Sequence, residues 1–241
     1  MKSLIFLIVP LLTGCACRAE RVVFIGFDLS GTAWRGGNNP YDAGWVQALK
    51  TVQGGDHVYA AIINEKGLLN GGPVIDFTVR PYSLLSDKRT EYDAAVEAKL
   101  EKERQALDTV LKNTAPAKGT EIIGFLHAAA QILGAYPART VRQVIVWTDS
   151  LQEGDEVNLA KLPLTDEQIA AIIEGERQAG RLPRLSGMSI WFVTGPSVQS
   201  AQFTSSKLLR LEVFWRKYIQ ACGGDLRAFS PVLVNFRGDG Q

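Results

Sequence analysis

Apolar and polar positions along this chain follow two periods in turn. Val22–Phe27 (VVFIGF) is a short, nearly continuous apolar run, as expected for a strand buried on both faces. His57–Ile63, Val141–Trp147 and Ser189–Val193 read as strands too, and a last one is expected near Val232–Asn235. Val74–Val79 is expected to pair antiparallel with His57–Ile63, because Asn70-Gly71-Gly72-Pro73 signals a turn between them. Between these runs the period changes. Val46, Leu49 and Val52 mark one helix, and Tyr92, Val96, Leu100, Leu107 and Leu111 mark a long amphipathic one. A third is expected to start at Thr120 and run through Phe125, Ala129 and Leu133. Thr165 to Gln168 reads as a capping box opening a fourth, ended by Gly180 and Pro183. Leu208, Leu211, Trp215, Tyr218 and Cys222 mark a fifth, stopped by Gly223-Gly224.

Strands alternating with helices predict an α/β fold of three layers. A mainly parallel central sheet of about six strands carries helices on both faces, with one antiparallel edge strand. With no internal repeat and no dividing linker, residues 20–241 read as one domain.

The N-terminus changes the picture. Lys2 precedes an apolar run from Leu4 to Leu12 of roughly nine residues, too short for a membrane-spanning helix and suited to an export signal. Leu12-Thr13-Gly14-Cys15 resembles a bacterial lipobox. Residues 1–14 are then a cleaved signal, and acylated Cys15 anchors an envelope protein without spanning the bilayer. Cleavage after Ala19, giving a soluble periplasmic or secreted protein, is the other reading. Cys17 and Cys222 are able to form a disulfide in an oxidising compartment, or Cys222 is simply buried at the end of its helix. The spacing of the three cysteines does not suit zinc. The 26 basic and 25 acidic residues, with no stripe of cations, give no footprint for nucleic acid or an anionic surface.

Candidate chemistry gathers at one rim. In open α/β sheets ligands bind beyond the carboxyl ends of the strands. Asp28 follows the first strand, Asp149 follows Val141–Trp147, and Thr120 opens a helix. With Ser30 and Thr32 they form an all-oxygen set of two carboxylates and three hydroxyls, suited to a hard cation such as Mg²⁺ or Mn²⁺. Asp and Ser are also common turn formers, so Asp28 and Ser30 capping a loop, with Asp149 opening a turn, is the plainer alternative. Trp34 and Tyr41 read as an aromatic rim for a partner or as packing over the loop, and His127 as a helix-packing residue.

The segments DLSGT, KGT and VWTD resemble the von Willebrand factor type A (VWA) domain with its metal-ion-dependent adhesion site. The resemblance implies that Ser30, Thr32 and Thr120 bind metal through hydroxyls, and that Asp28 and Asp149 hold it directly or through water. Thr32 stands where the family usually has Ser, which adds a methyl group to the site. The implied activity is protein binding in adhesion or assembly, with an Asp or Glu carboxylate of a protein partner completing the metal shell. A VWA fold without metal is a variant of this reading. Two enzyme classes share the opening run. IGFDLSGT resembles the phosphate loop of actin-like-fold sugar kinases, with Ser30 in place of a glycine. It also resembles the phosphoaspartate loop of haloacid-dehalogenase-type phosphotransferases, with Ser30 where phosphatases of that group usually carry a second Asp. Export weighs against a kinase that needs ATP.

Overall fold

The computed structural model describes residues 21–30, 42–65, 72–195, 203–234 and 236. Six strands form its sheet: β1 (Arg21–Asp28), β2 (His57–Ile63), β3 (Ile75–Thr78), β4 (Val141–Thr148), β5 (Met188–Thr194) and β6 (Asp225–Ser230). Their spatial order is β3-β2-β1-β4-β5-β6. β3 pairs antiparallel with β2, and every other pairing is parallel. The architecture is therefore the mainly parallel α/β sheet with one antiparallel edge strand that the sequence pattern implies.

Alternation along the strands separates two cores. Val22 and Phe24 of β1, Val144 and Val146 of β4, and Ile190 and Phe192 of β5 face one side. They pack there against α3 (Ile122–Gly134), α4 (Asp166–Gln178) and α5 (Ser205–Ala221). Val23, Ile25, Phe27, Ile145, Trp147, Trp191 and Val193 face the other side, against α1 (Asp42–Leu49) and α2 (Arg89–Asn113). A strand buried on both faces has no polar side to show, which is why Val22–Phe27 of β1 and Val144–Trp147 of β4 read as unbroken apolar runs. Gly26 falls on the α3 side. A Cβ there would lie 2.6 Å from Phe125 Cζ, and its absence leaves room for the Phe125 ring to stack on Phe24 at 5.1 Å.

The helix signals hold with small shifts. Thr165 is the N-cap of α4, and it forms a capping box with Gln168. α3 begins at Ile122 rather than Thr120, because the Glu121 carboxylate caps it by accepting from Gly124 N (3.2 Å). His127 is exposed rather than packed, with Nε2 2.8 Å from the Arg181 carbonyl. The last strand is a correction. β6 is Asp225–Ser230, directly after the helix stop at Gly223 (φ +79°). At this sheet edge the buried Leu226 and Ala228 alternate with polar residues. The more apolar Val232-Leu233-Val234 lies outside the sheet and packs as coil. Leu233 is buried, its carbonyl accepts from Gln47 Nε2, and that of Val234 accepts from Trp191 Nε1. Cys222 is a buried free cysteine, and burial pushes its thiol up to about 12. Cys15, Cys17, Thr32, Trp34 and Tyr41 lie outside the described residues.

Candidate functional site

β1 leads towards β2 on one side, while its other neighbour is β4. The crevice beyond the carboxyl ends of β1 and β4 is therefore a topological switch point, the usual ligand position in open α/β sheets. Asp28 ends β1, and Asp149 follows the last residue of β4. Two further segments close in. Ser30 forms a parallel bridge with Ala117, whose N–H donates to the Leu29 carbonyl (2.9 Å), and this draws the segment before α3 over the end of β1. Glu153 N donates to the Thr120 carbonyl (2.8 Å), tying the loop after β4 to the same segment.

The structure thus brings Asp28, Ser30, Thr120 and Asp149 together. Asp28 is 0% exposed, and its carboxylate accepts hydrogen bonds from the segments around it. Oδ1 accepts from Ser30 N (2.8 Å) and Thr120 Oγ1 (3.0 Å), and Oδ2 from Thr148 Oγ1 (2.7 Å). Asp149 Oδ1 accepts from Leu151 N at 3.0 Å, which fixes the turn out of β4. Burial, first, and the nearby Asp149 carboxylate push the Asp28 carboxyl up to about 6, against the pull of the Thr148 and Ser30 hydrogen bonds. Among the described residues no cation pairs with Asp28.

Thr148 is a site residue that sequence reasoning missed. Its hydroxyl donates to Asp28 and accepts from Ser150 N (3.0 Å), linking the two acidic turns. The available signal was a hydroxyl closing an otherwise apolar buried strand beside an acid. Ser150 has φ +72°, uncommon for a residue with a Cβ, and its buried Oγ has no hydrogen-bond partner among the described residues. Its carbonyl accepts from the buried Trp215 Nε1 at 3.0 Å. Gln152 supports the turn from below, accepting from Ile123 N (3.0 Å) and donating to Glu121 (2.6 Å). Burial pushes the Glu121 carboxyl up, and the Gln152 bond opposes that.

These donors are hard oxygens of the kind Mg²⁺ and Mn²⁺ prefer. Among the described residues no group of three or more His, Cys, Asp or Glu side chains is placed to hold a metal, so a cation here would rely on hydroxyls as well as two carboxylates.

No family model and no curated protein matches the sequence. Among solved structures, the chain is similar to the manganese-loaded TRAP protein of Plasmodium vivax, with 13% identity and a TM-score of 0.39. The match covers 85% of this chain and spans 64% of that protein's chain. At that score the fold rests on the sheet order and packing given above.

Proposed function

We propose that this chain is a VWA-type protein-binding module whose switch-point site takes Mg²⁺ or Mn²⁺. The observation that carries the reading is Asp28. A carboxylate without exposed surface, beside a second carboxylate and with hydroxyl and amide donors around it among the described residues, suits a bound positive charge. Asp28, Ser30, Thr120 and Asp149, with Thr32, would hold the ion. Bound there, it would supply a positive centre that a partner's Asp or Glu carboxylate can complete. The chain's own part is to keep the set in place. Thr148 orients the Asp28 carboxylate, and the Leu151 amide orients Asp149. In this reading the module is exported and held at the cell envelope through Cys15. Among the described residues no helix is long and apolar enough to cross a membrane.

The test is melting temperature against Mg²⁺ and Mn²⁺, with EDTA as reference, for the parent and Asp28→Ala. Ion at a hundred times Kd stabilises the native state by about 2.7 kcal/mol, so the parent melts higher and the variant does not respond. A parent indifferent to both ions, with partner capture unchanged in Asp28→Ala, removes the metal-dependent reading.

A further inference from the structure

Leu84 and Leu85 are 88% and 101% exposed, adjacent at the tip of the connection from β3 to α2. Single exposed leucines are ordinary, but this pair stands on a loop built to hold it out. Asp87 gathers the stem, its carboxylate accepting from both terminal nitrogens of Arg80 (2.7 and 2.9 Å) and from Ser83 N (2.7 Å). Tyr82 Oη donates to the Asp87 carbonyl, and Tyr92 Oη to that of Arg80. The Arg89 guanidinium lies over the Tyr82 ring at 5.2 Å. Two leucines on a fixed stem enter an apolar phase without the ordering cost of a mobile loop.

The loop's place in the fold says which phase. β3 ends where β2 begins, with Thr78 opposite His57 and Val79 N donating to the Asp56 carbonyl (2.9 Å). Arg21, the first residue of β1, bonds the carboxylate of that same Asp56 through Nε (3.1 Å) and the Thr51 carbonyl through Nη2 (2.6 Å). The start of β1 and the stem of the leucine loop thus share one residue. Cys15 lies six residues before Arg21, a reach of at most about 20 Å. The Asp28 site lies at the other end of β1, and α2, 25 residues and therefore about 37 Å long, separates the leucine loop from the segment that covers that site.

We infer that Leu84 and Leu85 dip into a lipid bilayer and set the orientation of the domain on it, with the Asp28 rim turned away from the surface. The side chains around the tip suit an interface. Arg80, Lys88 and Arg89 are 61%, 79% and 68% exposed, and their long stems let the charge reach headgroups while the leucines enter the acyl region. Glu91 and Asp93 pair with Lys88 and Arg89, so the leucines, not net charge, carry the contact. A lipid anchor joined to the chain six residues before Arg21 and a hydrophobic loop whose stem meets Arg21 at Asp56 would supply the two signals that stable, oriented attachment requires. The anchor belongs to the reading proposed above, and the leucine contact is tested apart from it.

The test uses the full chain on vesicles of phosphatidylethanolamine and phosphatidylglycerol, three to one. An environment-sensitive fluorophore is placed at Leu85→Cys, or at Lys161→Cys in the exposed loop after β4, both in a Cys17→Ser background with Cys222 buried. The probe at 85 shifts to shorter wavelength and is quenched by spin-labelled lipid, and the probe at 161 does neither. In a Cys15→Ala background, where the leucines alone make a weak and reversible contact, Leu84→Asp with Leu85→Asp lowers the partition coefficient read from a lipid titration at least tenfold at an unchanged melting temperature. Water-like emission at 85 on membrane-bound chain overturns the inference, as does undiminished binding by the double variant. A shift at 85 seen only with lipid-free protein extract assigns the loop to a protein partner and overturns it too. If Cys15→Ala leaves attachment unchanged while the leucine results hold, the anchor falls alone. The metal reading is decided separately, by the melting series.

Discussion

Asp28 sets two buried carboxylates against each other, and that has a measurable cost. Its folded value is raised to about 6 from an ordinary 3.8, so between about pH 4 and 6 the folded chain keeps a proton that the unfolded chain has lost. The resulting stability is complete below about pH 4 and disappears as pH rises through 6, a loss of up to about 3 kcal/mol. Denaturant titrations in EDTA at pH 4.5 and 7 should show the decline, and Asp28→Asn should flatten it. Thr148→Val keeps the shape of the side chain while removing the donor to Asp28 and the acceptor for Ser150 N. It should cost about 1–3 kcal/mol in urea unfolding, and a cost under half of that would mean that Thr148 only fills space. Thr148 escaped sequence reading for a physical reason. Strand-end hydroxyls are common, and only the register that sets Phe27 beside Trp147 brings this one to Asp28. Asp28, Ser30, Thr120 and Asp149 were legible because each follows a strand or precedes a helix, positions that sequence pattern marks well.

At the scale of elements, α3 lies close to β1 because Gly26 gives it room. Gly26→Ala should push the Phe125 ring off Phe24 and destabilise the fold by about 1–3 kcal/mol, read as a lower urea midpoint at unchanged slope. Unchanged stability would show that α3 can retreat freely. The capping box of α4 and the antiparallel β2–β3 pair were legible because local chemistry specifies both. β6 was not. An edge strand is half exposed and needs only alternate apolar residues, so Asp225–Ser230 was passed over for the richer Val232-Leu233-Val234. In that coil run Leu233 alone is buried, on the α1 side of the sheet, while Val232 and Val234 are exposed, so its richer apolar content does not mark a strand.

For the whole molecule, sheet order decides where chemistry can occur, and alternating strands and helices do not reveal that order. The sequence supports a rim, and the neighbouring of β1 and β4 narrows the rim to one crevice. The opposite end, where Arg21 and Val79 meet at Asp56, carries the exposed leucines, so the domain has two chemically different poles. Trp215 gives this arrangement a natural optical reporter. Its indole is buried and donates to the carbonyl of Ser150, which follows Asp149 directly. Any shift of that turn changes the polarity at the indole, so Mg²⁺ should alter the emission of the unlabelled protein. Trp215→Phe should remove the part of that change that this indole reports, leaving any part from Trp147, stacked on Phe27 beside Asp28, and should leave the rise in melting temperature on Mg²⁺ addition in place. An ion titration that moves the melting curve but not the emission would show that the turn is already set before the ion arrives, and that the site is rigid rather than induced.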